Sequence, residues 1–184
     1  MSSLMIAPTH RTPDVVFWDV FRAGTWTLHL VATDWGLCQI TLPGEKMDGD
    51  ERWFRRFMPD VTWRHDRGVL EPYACQLDEY FRRQRQDFSG TLDVYGTSFQ
   101  TAVWKALINI PYGYTQSYQQ VAITVGNPRA LRAVGGANNA NHIPIIIPCH
   151  RVIGKYGDLV GYGGGMKIKQ ALLALEKGKP FITK

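Results

Sequence analysis

The hydrophobic pattern changes period near residue 90, and this constrains the fold more than composition does. Before it, apolar residues recur at strand spacing. Segments 15–21 and 25–32 alternate or run apolar, and 37–42 follows a turn at Asp34-Trp35-Gly36. A weak, Arg-rich amphipathic helix is expected over 50–58. A better one spans 72–84, with Leu77, Tyr80 and Phe81 at helical spacing and Pro72 near its start. Asp87-Phe88-Ser89-Gly90 then breaks the chain, and 91–95 reads as one more strand. The expected organisation is an α/β domain over 1–90 and a mostly α domain over 91–184.

Past residue 97 the spacing is helical. Thr97 or Ser98 can cap a helix over 99–108 whose inner face carries Phe99, Val103, Trp104 and Leu107. After a turn at Pro111-Tyr112-Gly113, Ser117-Tyr118-Gln119-Gln120 has the form of a capping box, opening a helix that ends before Gly126. Asn127-Pro128 supplies an N-cap and an N1 proline for another helix reaching to about residue 139. Two short helices joined by a tight turn suggest a helix-turn-helix. The second is built from small residues: Ala130, Ala133, Gly135, Gly136 and Ala137, with Arg129 and Arg132 among them. Paired glycines cost about 1 kcal/mol each against alanine in a helix interior. Two explanations stand: close packing on another helix, or close approach to a nucleic acid.

Charge follows the same division. Residues 1–89 hold 11 Lys and Arg against 13 Asp and Glu, net −2; residues 90–184 hold 10 against 3, net +7. A basic C-terminal half suits a polyanionic partner, although a solvated basic face would look the same. No apolar run reaches eighteen residues and the first residues lack the features of a signal peptide, so a cytoplasmic protein with no membrane partner is expected. Cys38, Cys75 and Cys149 are an odd, widely spaced set, which argues against a disulfide framework. Each is either a small buried hydrophobe or a nucleophile.

The chemistry points to Ile143-Pro144-Ile145-Ile146-Ile147-Pro148-Cys149-His150-Arg151-Val152-Ile153-Gly154, in which a β-branched run delivers a cysteine next to a histidine and an arginine. That is a setting in which a thiolate is stabilised. The string closely resembles the signature of the O6-alkylguanine-DNA alkyltransferases, the methylated-DNA–protein-cysteine methyltransferases. Further motifs follow in family order: Gly96-Thr97-x-Phe99-Gln100-x-x-Val103-Trp104, Ile110-Pro111-Tyr112-Gly113, Ser117-Tyr118-x-x-Val121-Ala122, Arg132-Ala133-Val134-Gly135-Gly136-Ala137, Tyr162-x-Gly164-Gly165 and Leu172-Leu173-x-x-Glu176. The resemblance is strong over roughly residues 77–177 and only general before them.

The resemblance implies a ribonuclease-H-like N-terminal domain, then a winged-helix-like C-terminal domain carrying the helix-turn-helix. It implies DNA repair by transfer of the alkyl group of O6-alkylguanine, and of O4-alkylthymine, to Cys149, once per molecule. His150 would receive the cysteine's proton through a water, and Glu176 would orient and charge the histidine. Asn141 would brace the active-site turn. Tyr118 would crowd the target phosphate and assist the leaving base, while Arg132 fills the gap left by the flipped nucleotide. Ala133 and Gly135 would meet the minor groove of double-stranded DNA. Pro144, Val152, Tyr162 and Gly163 would line the alkylguanine pocket; where many relatives have serine or alanine, Gly163 suggests a roomier wall. A monomer with no cofactor is expected, and no zinc, because Cys38 and Cys75 stand far apart among His10, His29 and His65. A binding-only relative would lack Cys149, and a Cys-His hydrolase would need an oxyanion hole that sequence does not reveal.

Overall fold

The computed structural model describes residues 4–7, 12–45 and 51–179; His10 lies outside them. The chain divides into two compact units between Tyr95 and Gly96. Among the described residues no helix is long and apolar enough to cross a membrane.

The first unit is a mixed sheet with helices. Strands β1 (Leu4–Ile6), β2 (Val15–Ala23), β3 (Trp26–Thr33), β4 (Gly36–Thr41), β5 (Thr62–His65) and β6 (Gly90–Leu92) lie in the order β1-β6-β4-β3-β2-β5. β2, β3 and β4 form an antiparallel meander, with a register shift at Val31/Ala32. β1 and β4 flank β6 in parallel, and β5 joins β2 in parallel. The three meander strands were readable from their apolar spacing and the turn at Asp34-Trp35-Gly36. β1 and β5 were not, because three- and four-residue edge strands carry too little periodicity.

Helix α1 (Glu51–Phe57) places Trp53 and Phe54 in a core with Val16, Val31, Cys38 and Met58. Helix α2 (Arg67–Phe81) packs on β2 and β3 through Leu70, Leu77, Tyr80 and Phe81. It begins five residues before Pro72, contrary to the expected start. The cause is Asp66, whose side chain accepts from the Val69 amide at 3.3 Å and caps the helix. Pro72 therefore sits inside the helix and removes only one backbone donor.

The second unit is mostly helical, with α3 (Ser98–Ile108), α4 (Tyr118–Thr124), α5 (Leu131–Asn139) and α6 (Met166–Glu176). β7 (Gln116–Ser117) and β8 (Val152–Ile153) form a small parallel pair. Capping boxes open α3, from Thr97 and Gln100, and α4, from Ser117 and Gln120. Gly96 just before α3 is required by space: an added Cβ would stand 2.5 Å from the Trp104 ring. That ring fixes α3 on α5 by donating its Nε1–H to the Ala137 carbonyl at 2.9 Å.

Helix α5 starts later than Asn127-Pro128 suggested. Pro128 and Arg129 form a turn closed by the Ala130 amide on the Asn127 carbonyl, 3.0 Å, so the proline shapes the connection instead of the first helical turn. The glycines of α5 are not explained by packing. An added Cβ on Gly136 would meet nothing within 4 Å, and one on Gly135 only the Tyr118 ring at 3.9 Å.

Candidate active site

The β-branched run before Cys149 does not form the strand its composition suggests. Asn141 closes it into a loop: its Oδ1 accepts from the Ile143 amide at 3.0 Å and its Nδ2 donates to the Ile147 carbonyl at 2.8 Å. The Ile147 amide donates to the Ile143 carbonyl at 2.9 Å, and Ile145, fully buried, is held at φ 75°. A β-branched residue in that region is strained by about 1–3 kcal/mol. Burial of the isoleucines and the Asn141 clamp offset this. Pro148 then leads into a 3-10 turn, Cys149–Arg151, whose three side chains are all buried.

Around that turn the charged groups are sorted. His150 is completely buried, and its Nε2 lies 2.8 Å from Glu176 Oε1 at the end of α6. A carboxylate accepts only, so Nε2 carries the hydrogen. Nδ1 is then a bare lone pair, and it has no partner among the described residues. Arg151 donates to both Glu176 oxygens, at 2.9–3.2 Å, and to the Ile110 carbonyl at 2.6 Å. The Gly113 amide also reaches Glu176 Oε2, at 3.1 Å. Burial alone would raise the Glu176 pKa, but His150 and Arg151 hold it at about 2. Arg151 is the standing counter-charge. Burial lowers the His150 pKa despite Glu176, with Arg151 and Lys169 opposing a charged ring as well. Burial thus favours the neutral ring, with Nδ1 bare, and Glu176 is placed to offset the charge once a proton arrives.

Cys149 is 4% exposed. Burial raises its pKa, against the Asn141 and Tyr162 side chains and the Lys169 charge, which lower it. Lys169 is itself fully buried, with Nζ 2.6 Å from the Val152 carbonyl and 3.2 Å from the Val160 carbonyl. It ties together two points of the segment after Cys149 and lies 5.9 Å from the Tyr162 ring centre.

Among the other expected residues, Tyr118 donates to the Val160 carbonyl at 3.2 Å, so it meets the segment containing Tyr162 and Gly163. Pro144 and Val152 are buried beside the reacting turn in sequence, and Tyr162 is half-buried. Arg132 and Ala133 are exposed on α5, with Gly135 half-buried. Gly163 does not leave open room: an added Cβ would stand 3.2 Å from Asn139 Oδ1, so the asparagine takes that space. Among the described residues no three His, Cys, Asp or Glu gather as a metal site; Cys38 is buried and Cys75 exposed.

Sequence reasoning did not assign Arg151, Lys169 or Asn138. Arg151 stood inside the motif itself. For Lys169 a signal existed: Lys169, Leu172, Leu173 and Glu176 share one stripe of α6 at spacings of three, four and seven, and all are buried. A lysine on a buried stripe needs a local reason.

Residues 98–178 match the family model described as 6-O-methylguanine DNA methyltransferase, DNA binding domain. The inducible methylated-DNA–protein-cysteine methyltransferase of Bacillus subtilis is 40% identical over 162 residues, 88% of this chain and 90% of that protein. A Mycobacterium leprae protein of the same name is 52% identical over 117 residues, 64% of this chain and 71% of its own. Among solved structures, Mycobacterium tuberculosis OGT in complex with DNA superposes with a TM-score of 0.79 at 40% identity, covering 90% of this chain and 96% of that one.

Proposed function

The chain belongs to the methylated-DNA–protein-cysteine methyltransferase family, and from that premise we propose that it repairs DNA by moving the alkyl group of O6-alkylguanine onto Cys149. The observation that carries this reading is the buried His150–Glu176 pair on the turn that also buries Cys149, with His150 Nδ1 left bare to take a proton. The Cys149 proton passes to Nδ1 through a water, and the imidazolium is held by Glu176. The sulfur lone pair forms the C–S bond while the C–O6 pair stays on the departing guanine, which takes up a proton. Electrons balance without a cofactor. The thioether is not reopened, so each molecule acts once.

The target atom lies inside the duplex, and extruding its base costs a few kcal/mol. Helix α5 fits this task. Its unpacked glycines and Ala133 make it slim enough for a minor groove about 6 Å wide. Arg132 enters the gap left by the base, and Tyr118 presses on the target backbone and assists the leaving base. Asn141 braces the active-site turn, and Pro144, Val152, Tyr162 and Gly163 bound the pocket. The first unit is read as ribonuclease-H-like and the second as winged-helix-like. The protein works as a monomer in the cytoplasm, and O4-alkylthymine is a second substrate.

One experiment with three proteins tests this. With label in the transferred alkyl group, wild type takes it from duplex O6-methylguanine and from free O6-benzylguanine. Cys149→Ala takes it from neither yet still binds DNA. Arg132→Ala slows on the duplex by about 1–3 kcal/mol and little on the free base. Label on Cys149→Ala would overturn the assignment of the nucleophile. Equal slowing of Arg132→Ala on both substrates would remove Arg132 from extrusion.

A further inference from the structure

Asn138, near the end of α5, is 5% exposed. Its Nδ2 donates to the backbone carbonyl of Cys149 at 3.3 Å, and its amide also lies beside the Tyr118 hydroxyl. The amide cannot be reversed, because a carbonyl oxygen only accepts and the atom facing it must be the nitrogen. Oδ1 is then left buried, without a hydrogen-bond partner among the described residues. Such an orphan acceptor costs about 1–3 kcal/mol and calls for an explanation. It belongs to a side chain already bonded to the backbone of the reacting turn.

The chemistry of the lesion says which donor that is. Alkylation at O6 locks the guanine ring in the form without N1–H, N9 carries the sugar, and N3 and N7 are acceptors. The exocyclic 2-amino group is the one N–H donor left on the base. Resting on the reading that Cys149 takes its alkyl group from guanine, we propose that Asn138 Oδ1 accepts a hydrogen bond from the 2-amino group of the extruded O6-alkylguanine. Asn138 is then a specificity-determining residue: one end of its carboxamide holds the Cys149 backbone and the other reads the base to be attacked. O4-alkylthymine has lost its N3–H and offers no such donor, so the contact favours the purine lesion.

The test compares duplexes carrying O6-methylguanine with duplexes carrying O6-methylhypoxanthine, the same base without the 2-amino group. Single-turnover transfer to the full chain is followed for wild type and for Asn138→Leu, which keeps the volume without the acceptor. Wild type is expected to prefer O6-methylguanine about tenfold, the size of one hydrogen bond to a buried acceptor. Asn138→Leu is expected to bring the two rates close to parity. An Asn138→Leu protein that slows equally on both bases, keeping the wild-type ratio, overturns the proposal; so does a wild type with no preference. If Asn138→Leu does not fold, Asn138→Asp decides, since it keeps an acceptor but loses the donor to Cys149. It should slow on both bases and retain the preference, and loss of the preference overturns the proposal. Failure of wild type to transfer from either base would sink the Cys149 reading itself, a separate result.

Discussion

Cys38 and Cys149 are both buried thiols, at 1% and 4% exposure, yet their surroundings differ. Cys38 lies in an aromatic and aliphatic core with Trp53, Phe54 and Met58, and donates to the Val31 carbonyl at 3.4 Å. Burial raises its pKa far, and the nearby Asp93 charge raises it further. Cys149 bears the same burial, but Asn141, Tyr162 and Lys169 pull its pKa back down. Its chain neighbour His150 also holds a bare nitrogen backed by Glu176. Burial alone makes a thiol inert. Burial among donors, a cation and a neutral base lets it ionise when its proton has somewhere to go.

Three substitutions can break this contrast. The largest effect is expected from Glu176→Gln. Arg151 would be left buried without its carboxylate, which costs about 3–5 kcal/mol of stability. His150 would become harder to protonate, so the alkylation rate should fall and its pH profile move to higher pH. The wild type should also lose stability as pH falls. The Glu176 pKa is depressed to about 2 in the fold, against an ordinary value of 4.5. Its contribution is complete above the higher value and is lost as pH drops towards the lower. Denaturant melts of both proteins between those limits check this, because the variant lacks that slope.

Lys169→Met comes next. The lysine charge lowers the Cys149 pKa, so removing it should raise that pKa and shift the rate profile up, by less than the loss of Glu176 does. The Val152 and Val160 carbonyls lose a donor, which costs about 1–3 kcal/mol of stability. Lys169→Arg, if it fits, should restore the profile, a rescue that a purely structural role would not give. The smallest effect is expected from Cys38→Ala. Transfer should be unchanged and stability lower by about 1 kcal/mol, read from thermal melts. A slowed transfer would mean that the core thiol matters after all.

What was legible in the chain depended on how far apart the interacting residues stand. The caps at Thr97 and Ser117 involve residues three apart and could be read directly. β1 and β5 exist through partners far along the chain, at β6 and β2, and left no local pattern. The isoleucines before Cys149 have strand propensity, but Asn141 binds both ends of their segment and folds it into a loop. Cys149 and His150 are adjacent and announced themselves. Glu176 lies 26 residues beyond His150 and was found only through resemblance to a family. Asn138 gave no signal, because an asparagine near a helix end is ordinary until its partner is seen.

The most direct test of the account follows where the alkyl group goes and how often. The protein is mixed with an excess of duplex carrying O6-methylguanine, and lesions lost are counted while the intact protein and its peptides are weighed by mass spectrometry. The account predicts one lesion repaired per protein molecule, after which the reaction stops. The added mass is one methyl group, located on the peptide containing Cys149, with Cys38 and Cys75 unmodified. Continued repair beyond one lesion per molecule, or a methyl group on either other cysteine, would contradict it.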